Sequence, residues 1–164
     1  MAFIDLDSED PQGNASFYNL TASVGYGGKN FEEDVKVVQF FLNRVYTTER
    51  FKDKKPWGNM VADGKCGPIT RAWITKFQQD VRSYGSDCMV DGLVDKAGNE
   101  SNPDNWTGSI SNTHYTIRFI NNVLRKQDTY VYKTLTTNPV VPDDMRALFT
   151  VIQAAGPAMN YAES

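Results

Sequence analysis

Histidine and cysteine are scarce in this chain of 164 residues, and it has neither long apolar runs nor blocks of like charge. One histidine and two cysteines, Cys66 and Cys88, are too few for a disulfide scaffold or a zinc knuckle. No apolar run approaches the roughly 20 residues of a membrane-spanning helix. The net charge of −3 lacks the basic field that supplies most of the affinity for nucleic acid. We therefore expect neither membrane insertion nor a nucleic-acid partner.

The remaining composition, 40% apolar and 23% charged residues, is ordinary for one globular domain. The acidic residues 1–11 lack the basic and apolar regions of a secretory signal peptide. We therefore expect the protein to be cytoplasmic as synthesised and to reach the periplasm or cell envelope only by a non-Sec route. The two thiols are either both reduced or joined in one bridge, because each lies three residues from the Asp of an Asp-Gly pair.

Residues 61–78 join a tight turn to an amphipathic helix, and the chain is organised around them. Asp63-Gly64 is a turn signal, because Asp hydrogen-bonds nearby backbone and Gly adopts positive φ without steric cost. Pro68 suits the first helical position, where its missing N–H has no helical partner. The apolar stripe that follows predicts a helix to about Ser83, with Gly85 ending it.

Three further helices are predicted from apolar spacing and from their first residues. One opens at Glu32, with Asn30 as its cap, and runs to about Tyr46. Another is capped by Asn112 or Thr113, and the last runs from about residue 143 to 154. The last helix carries an apolar stripe that docks either on the core or on a partner, made of Met145, Leu148, Phe149 and Ile152.

The segments between these helices are predicted to be extended or loop-like. We expect a loose arm over residues 1–15, and a short strand or extended segment over 16–24. Residues 47–60 read as a polar surface loop, and the Thr- and Tyr-rich residues 128–141 as an extended segment.

A unit of helix, apolar-Gln and apolar-x-Asp-Gly occurs twice in the chain. Gln39 is followed by Asp63-Gly64, and Gln78 is followed by Asp91-Gly92. Buried polar groups need hydrogen-bond partners, so we expect the two glutamines to bind backbone groups of the Asp-Gly turns. Such a repeated unit predicts a compact three-helix body.

This pattern resembles the peptidoglycan-binding-like domain of cell-wall enzymes, including forms in phage and secretion-associated proteins. That family typically reads D-V-x-x-h-Q-x-x-L-N, then D-G-x-x-G-P-x-T-x-x-A-V-x-x-F-Q, then V-D-G-x-V-G. The residues that match are Asp34-Val35, Val38-Gln39, Leu42-Asn43, Asp63-Gly64, Gly67-Pro68, Thr70, Ile74, Phe77-Gln78, Val90-Asp91-Gly92 and Val94. Trp73, where the family usually has Ala, and Asp95, where it has Gly, depart from the pattern.

The resemblance implies a mainly α fold, a compact three-helix peptidoglycan-binding-like domain with Asp-Gly loops, an extended N-terminal arm and a C-terminal helical extension. The corresponding boundaries are 1–23 for the arm, 24–127 for the domain and 128–164 for the extension. It also implies a non-catalytic module that binds peptidoglycan, either the glycan or the stem peptide.

We find no pattern typical of a catalytic, cofactor or metal site, and we expect none of the three. His114 does not sit at metal-ligand spacing from Cys66 or Cys88, and a Cys–His dyad would need a thiol beside it. Asp91 and Asp95 are spaced as turn residues, not as an EF-hand calcium loop.

The candidate ligand-binding residues are three tryptophans and two charged residues: Trp57, Asp63, Arg71, Trp73 and Trp106. Trp57 either covers an edge of the core or is exposed for ligand stacking, and Trp73 either packs in the core or faces the ligand. The alternative function is a protein–protein adaptor, assembly subunit or cargo of a phage-tail-like or type VI secretion apparatus.

Overall fold

The computed structural model describes residues 1–10, 16–99, 103–108 and 112–157. These residues contain five α-helices and four short β-strands, joined by turns and loops. The helices are α1 (Glu32–Val45), α2 (Pro68–Ser83), α3 (Thr116–Gln127), α4 (Thr129–Lys133) and α5 (Asp143–Ala155), and a 3-10 turn spans Lys52–Lys54. The strands β1 (Phe3–Leu6) and β2 (Ser16–Asn19) pair in one antiparallel sheet, and β3 (Val24–Gly25) and β4 (Leu93–Val94) in another. The prediction of a mainly α, three-helix domain is therefore wrong, and the fold is mixed α/β.

The helices with strong apolar periodicity lie where the sequence predicts them. In α1 the residues Val35, Val38, Leu42 and Val45 are all fully buried. In α2 the chain enters at Pro68, the first helical residue, and leaves toward Gly85, whose φ of +90° lies in the left-handed region. The apolar stripe, the proline at the first helical position and the glycine after the last turn each have a local physical cause.

The predicted N-terminal caps of α1 and α3 are wrong. Phe31 precedes α1, and no side chain caps its first turn. Asn30 instead has a φ of +53° and binds the preceding turn, accepting from the Gly25 amide at 2.8 Å. Helix α3 begins at Thr116, after Tyr115, so it starts later than Asn112 or Thr113. Asn30 and Asn112, which both have positive φ, therefore belong to turns before the helices, and neither caps a helix end.

The N-terminal residues form a β-hairpin, in contrast to the loose arm expected for them. Phe3 pairs with Asn19 and Leu6 with Ser16. The hairpin docks on residues 103–108 through Asn105, whose side-chain amide donates to the Leu6 carbonyl at 2.7 Å. The prediction of a short strand within residues 16–24 is confirmed; the part of the expected arm between 11 and 15 lies outside the described residues.

Helix α5 completes the core, as its stripe predicts for docking within the chain. Met145, Phe149 and Ile152 are fully buried. The Phe149 ring stacks on the Phe41 ring of α1 with centroids 5.6 Å apart and 13° between planes. The segment 128–141 is not extended, because Thr129–Lys133 forms α4 and turns follow it. The domain beginning at residue 24 therefore shares its core with the N-terminal strands and with α5.

Two glutamines tie the Asp-Gly turns to the helices that precede them, which confirms the role predicted for them. The Gln39 side chain accepts from the Gly64 amide at 2.9 Å and lies within 3.0 Å of the Lys65 carbonyl and 2.9 Å of the Thr70 hydroxyl. In the second unit Gln78 accepts from the Gly92 amide at 2.9 Å, with the Leu93 carbonyl at 3.0 Å and the Thr116 hydroxyl at 3.1 Å.

None of the helices in the described part of the chain combines the length and apolar character needed to cross a membrane.

Candidate functional site

An open groove of about 820 Å³ runs along the exposed face of α2. Helix residues Arg71, Thr75 and Gln79 lie along it at i, i+4 and i+8, the spacing that places side chains on one helix face. The loop containing Trp57 borders it, and so do the turn containing Tyr26 and the second Asp-Gly turn. The groove is therefore assembled from four separate parts of the sequence.

Two aromatic side chains at the rim of the groove are unusually exposed. Trp57 is 89% exposed and Tyr26 is 71% exposed. Large aromatic side chains are stabilising when buried, and exposed ones beside a concave surface are typical of binding sites. The alternative that Trp57 covers an edge of the core is therefore wrong, and its ring is free to contact a ligand.

Trp73 lies behind the groove and holds the Trp57 loop in place. It is fully buried, and its ring meets the Tyr46 ring edge-on with centroids 5.5 Å apart. Its indole N–H donates to the Trp57 carbonyl at 3.2 Å. The core alternative for Trp73 is thus confirmed, and its contribution to the groove is to fix the backbone of the exposed tryptophan.

Cationic side chains predominate beside the aromatic rim. Lys55, Arg71 and Lys76 line the groove together with Asp91. The Arg71 guanidinium lies 5.9 Å from the centre of the Tyr26 ring. Lys76 forms an ion pair with the buried Asp80, so its charge is already partnered. Arg71, by contrast, forms no ion pair within the described residues, so its guanidinium keeps its charge available beside the Tyr26 ring.

The wall of the groove at Gly92 depends on the second Asp-Gly turn. The Tyr26 amide donates to the Gly92 carbonyl at 3.1 Å. A Cβ at Gly25 would lie 2.2 Å from that same carbonyl oxygen, so only glycine allows the two turns to approach this closely. Because Gln78 holds the Gly92 amide, the glutamine of the second repeat also fixes the position of Tyr26.

Of the five candidate residues, the structure brings Trp57 and Arg71 into one groove. Asp63 lies in the first Asp-Gly turn, where the Lys65 amide and the Gln39 side chain donate to it and lower the pKa of its carboxyl. Trp106 is half-buried, and its indole N–H donates to the Asp7 carboxylate. Asp63 and Trp106 therefore serve the scaffold, away from the groove.

Sequence reasoning missed Tyr26 as a site residue. It follows Gly25 in a turn that carries no motif for ligand binding, and only the pairing of β3 with β4 brings it to the second Asp-Gly loop. The repeat contains one relevant signal, because it marks Asp91-Gly92 as a structured turn, and any residue that contacts this turn is a candidate for the site. Apolar spacing along the chain, by contrast, carries no information about residues this far apart.

The remaining groups considered for chemistry have ordinary structural partners. Cys66 and Cys88 are both free, so the bridge between the two Asp-Gly loops does not form. Burial raises the pKa of the Cys88 thiol to about 11, which keeps it protonated and unreactive. His114 precedes α3 and lies 3.5 Å from the Asp87 carboxylate. Asp91 accepts from Gln78, and Asp95 accepts from the Ser23 hydroxyl at 2.7 Å.

A scan against models of protein families, a search of curated proteins and a search of solved structures each found no match for this chain.

Proposed function

We propose that the protein is a non-catalytic binding module for bacterial cell-wall peptidoglycan, with the ligand in the α2 groove. The single observation that carries this proposal is the pair of exposed rings, Trp57 and Tyr26, on the rim of an open groove that also contains Arg71. The repeat of apolar-Gln and Asp-Gly, on which the resemblance to peptidoglycan-binding-like domains rests, supports it independently.

The chemistry of the groove suits a glycan chain that carries peptide carboxylates. Flat aromatic faces contact the apolar faces of sugar rings, while a few placed polar groups fix the orientation of the ligand. Arg71 supplies a planar, permanently charged donor for a carboxylate of the stem peptide. Thr75 and Gln79 add hydrogen-bonding groups on the same helix face. The groove is open to solvent along the α2 face, as the binding of a polymeric ligand requires.

Cosedimentation with purified insoluble peptidoglycan tests the proposal. The wild-type protein is expected in the pellet with saturable binding. Trp57→Ala and Tyr26→Ala should each weaken binding at least about tenfold, as truncation of a central aromatic contact does. Tyr130→Ala is the matched control, because Tyr130 is 75% exposed and lies outside the groove. Recovery of the wild-type protein in the supernatant at every concentration would refute the proposal.

Two further measurements on the same material separate this function from others. Release of soluble muropeptides from the pellet would contradict a non-catalytic role. Copurification of a protein partner in fixed stoichiometry, without binding to peptidoglycan, would instead favour an adaptor or assembly subunit of a phage-tail-like or type VI secretion apparatus.

A further inference from the structure

A second cleft, of about 550 Å³, lies between the N-terminal hairpin, the α3–α4 corner and α5. Ile4 and Tyr18 come from the hairpin, Arg125 and Tyr132 from the corner, and Gln153 from α5. It has no described lining residue in common with the α2 groove. Most of its lining residues lie outside residues 24–127, the domain that the resemblance implies, so it calls for its own explanation.

Positive charge is concentrated at this cleft. Arg125 and Lys133 line it, and none of its described lining residues is acidic. Within the described part of the chain, Lys133 is exposed and forms no ion pair. Arg125 donates to the Ser16 carbonyl and lies 3.5 Å from the Asn122 side-chain oxygen, which are both neutral acceptors. Neither cation is therefore neutralised by a carboxylate of the described chain.

A third cation lies behind the cleft and adds to its positive field. Arg118 is 1% exposed, with its guanidinium 3.9 Å from the centre of the Phe17 ring, and Phe17 lines the cleft. Asp7 pairs with one Arg118 nitrogen at 2.9 Å, whereas Nε and Nη1 have no hydrogen-bond partner among the described residues. Of these three cations only Arg118 has a carboxylate partner among the described residues, so two positive charges remain for an anionic ligand.

The walls of the cleft are aromatic and held in fixed positions. The Tyr132 hydroxyl donates to the Asn121 side-chain oxygen at 2.5 Å, and the Gln153 amide donates to the Tyr18 hydroxyl at 2.9 Å. The two tyrosine rings meet edge-on with centroids 5.8 Å apart. Side chains fixed in this way give a preorganised surface, which lowers the entropy lost on binding.

We propose that this cleft binds a small organic anion, with its carboxylate or phosphate between Arg125 and Lys133 and its apolar body against Ile4 and the tyrosine rings. The site is distinct from the α2 groove, and its ligand need not be related to the cell wall. Pairing with the oxyanion replaces the missing carboxylate partners of the two cations, and the aromatic walls exclude water from the contact.

Three small molecules that share a phenyl ring test whether binding requires a negative charge: benzoate, phenyl phosphate and neutral benzamide. Titration of ¹⁵N-labelled full-length protein is expected to give saturable shifts of the Lys133 and Gln153 amides with at least one of the two anions, and none with benzamide. The tighter of the two anions identifies the preferred oxyanion. Shifts that are absent with both anions, or equal for benzoate and benzamide, would overturn the proposal.

Substitution of the exposed lysine tests the position of the anion. Lys133→Gln should weaken binding about fivefold, the effect of losing one charge-assisted contact. Lys126→Gln is the matched control, because Lys126 is also an exposed lysine near the end of α3 but does not line this cleft. Equal weakening by the two substitutions would show a general charge effect and would contradict a site. Unchanged thermal unfolding of both variants confirms that the fold is retained.

Discussion

The two repeat glutamines should have effects of similar size on stability but unequal effects on the groove. Gln39→Leu and Gln78→Leu keep the side-chain volume and remove the polar atoms. Each removes the acceptor of one buried glycine amide and the donor to one buried threonine hydroxyl, Gly64 and Thr70 in the first unit and Gly92 and Thr116 in the second. In the second unit the Asp91 amide also loses its acceptor, whereas the Thr116 hydroxyl keeps a 3.6 Å contact with the Cys88 thiol.

The expected loss follows from the cost of burying polar groups without partners. Each costs about 1–3 kcal/mol, so two of them lower the free energy of unfolding by about 2–6 kcal/mol. The whole stability of a domain is about 5–15 kcal/mol, so either substitution removes a large part of it. Gln79→Leu is the control, because Gln79 is exposed, and we expect a change of about 0.5 kcal/mol or less.

Urea unfolding followed by circular dichroism measures these differences, and ligand binding separates the two glutamines. Gln78→Leu should also weaken binding in the groove, because Gln78 holds the Gly92 wall on which Tyr26 rests. Gln39→Leu should leave the binding constant of the folded protein unchanged, since its turn does not line the groove. A loss below about 1 kcal/mol for both variants would refute the hydrogen-bond account.

Two further predictions concern titratable groups. Burial alone would raise the pKa of Asp7, but hydrogen bonds from the Glu9 amide and Trp106 and the charge of Arg118 lower it overall. Its carboxylate therefore stabilises the fold above the unfolded value of about 3.9, and this contribution is lost as the pH falls through the lower folded value. Asp7→Asn should cost about 3–5 kcal/mol at pH 7 and flatten the dependence of unfolding on pH below about 4; an unchanged acid profile would contradict this. For the thiols, Ellman's reagent should detect two in denaturant and neither rapidly in the native state, whereas fewer than two in denaturant would reveal a bridge.

Helices α1, α2, α3 and α5 and the glutamine contacts could be predicted because their causes are local. The stripe of α5 requires only that Met145, Phe149 and Ile152 recur at helical spacing, whatever they pack against. The N-terminal hairpin could not be predicted in this way, since Phe3–Leu6 becomes a strand by pairing with a segment further along the chain. Helix α4 follows α3 almost at once, and the alternation of its tyrosines wrongly predicts an extended segment, because helix and strand periods cannot be distinguished over five residues.

The candidate site was predicted only in part, for a related reason. Trp57 and Arg71 stand out as an aromatic residue in a polar loop and a cation on a helix. The tryptophans nevertheless have different environments, with Trp57 89% exposed and Trp73 fully buried, and residue type alone does not separate them. The structure separates them, because Trp73 lies on the buried face of α2, whereas the Trp57 loop, whose carbonyl accepts from the Trp73 indole, leaves the Trp57 ring outside the core.

The sequence by itself determined the repeated unit, in which each Gln follows an apolar residue and each Asp-Gly turn requires positive φ. These features depend on neighbouring residues and on helical periodicity, so they can be read without knowing the rest of the fold. Only the tertiary structure decided that Tyr26 lies beside Arg71, that the N-terminal hairpin and α5 share the core, and that cations gather at a second cleft. Those arrangements depend on which distant surfaces pack together, and packing energy is spread over many contacts that no short motif specifies.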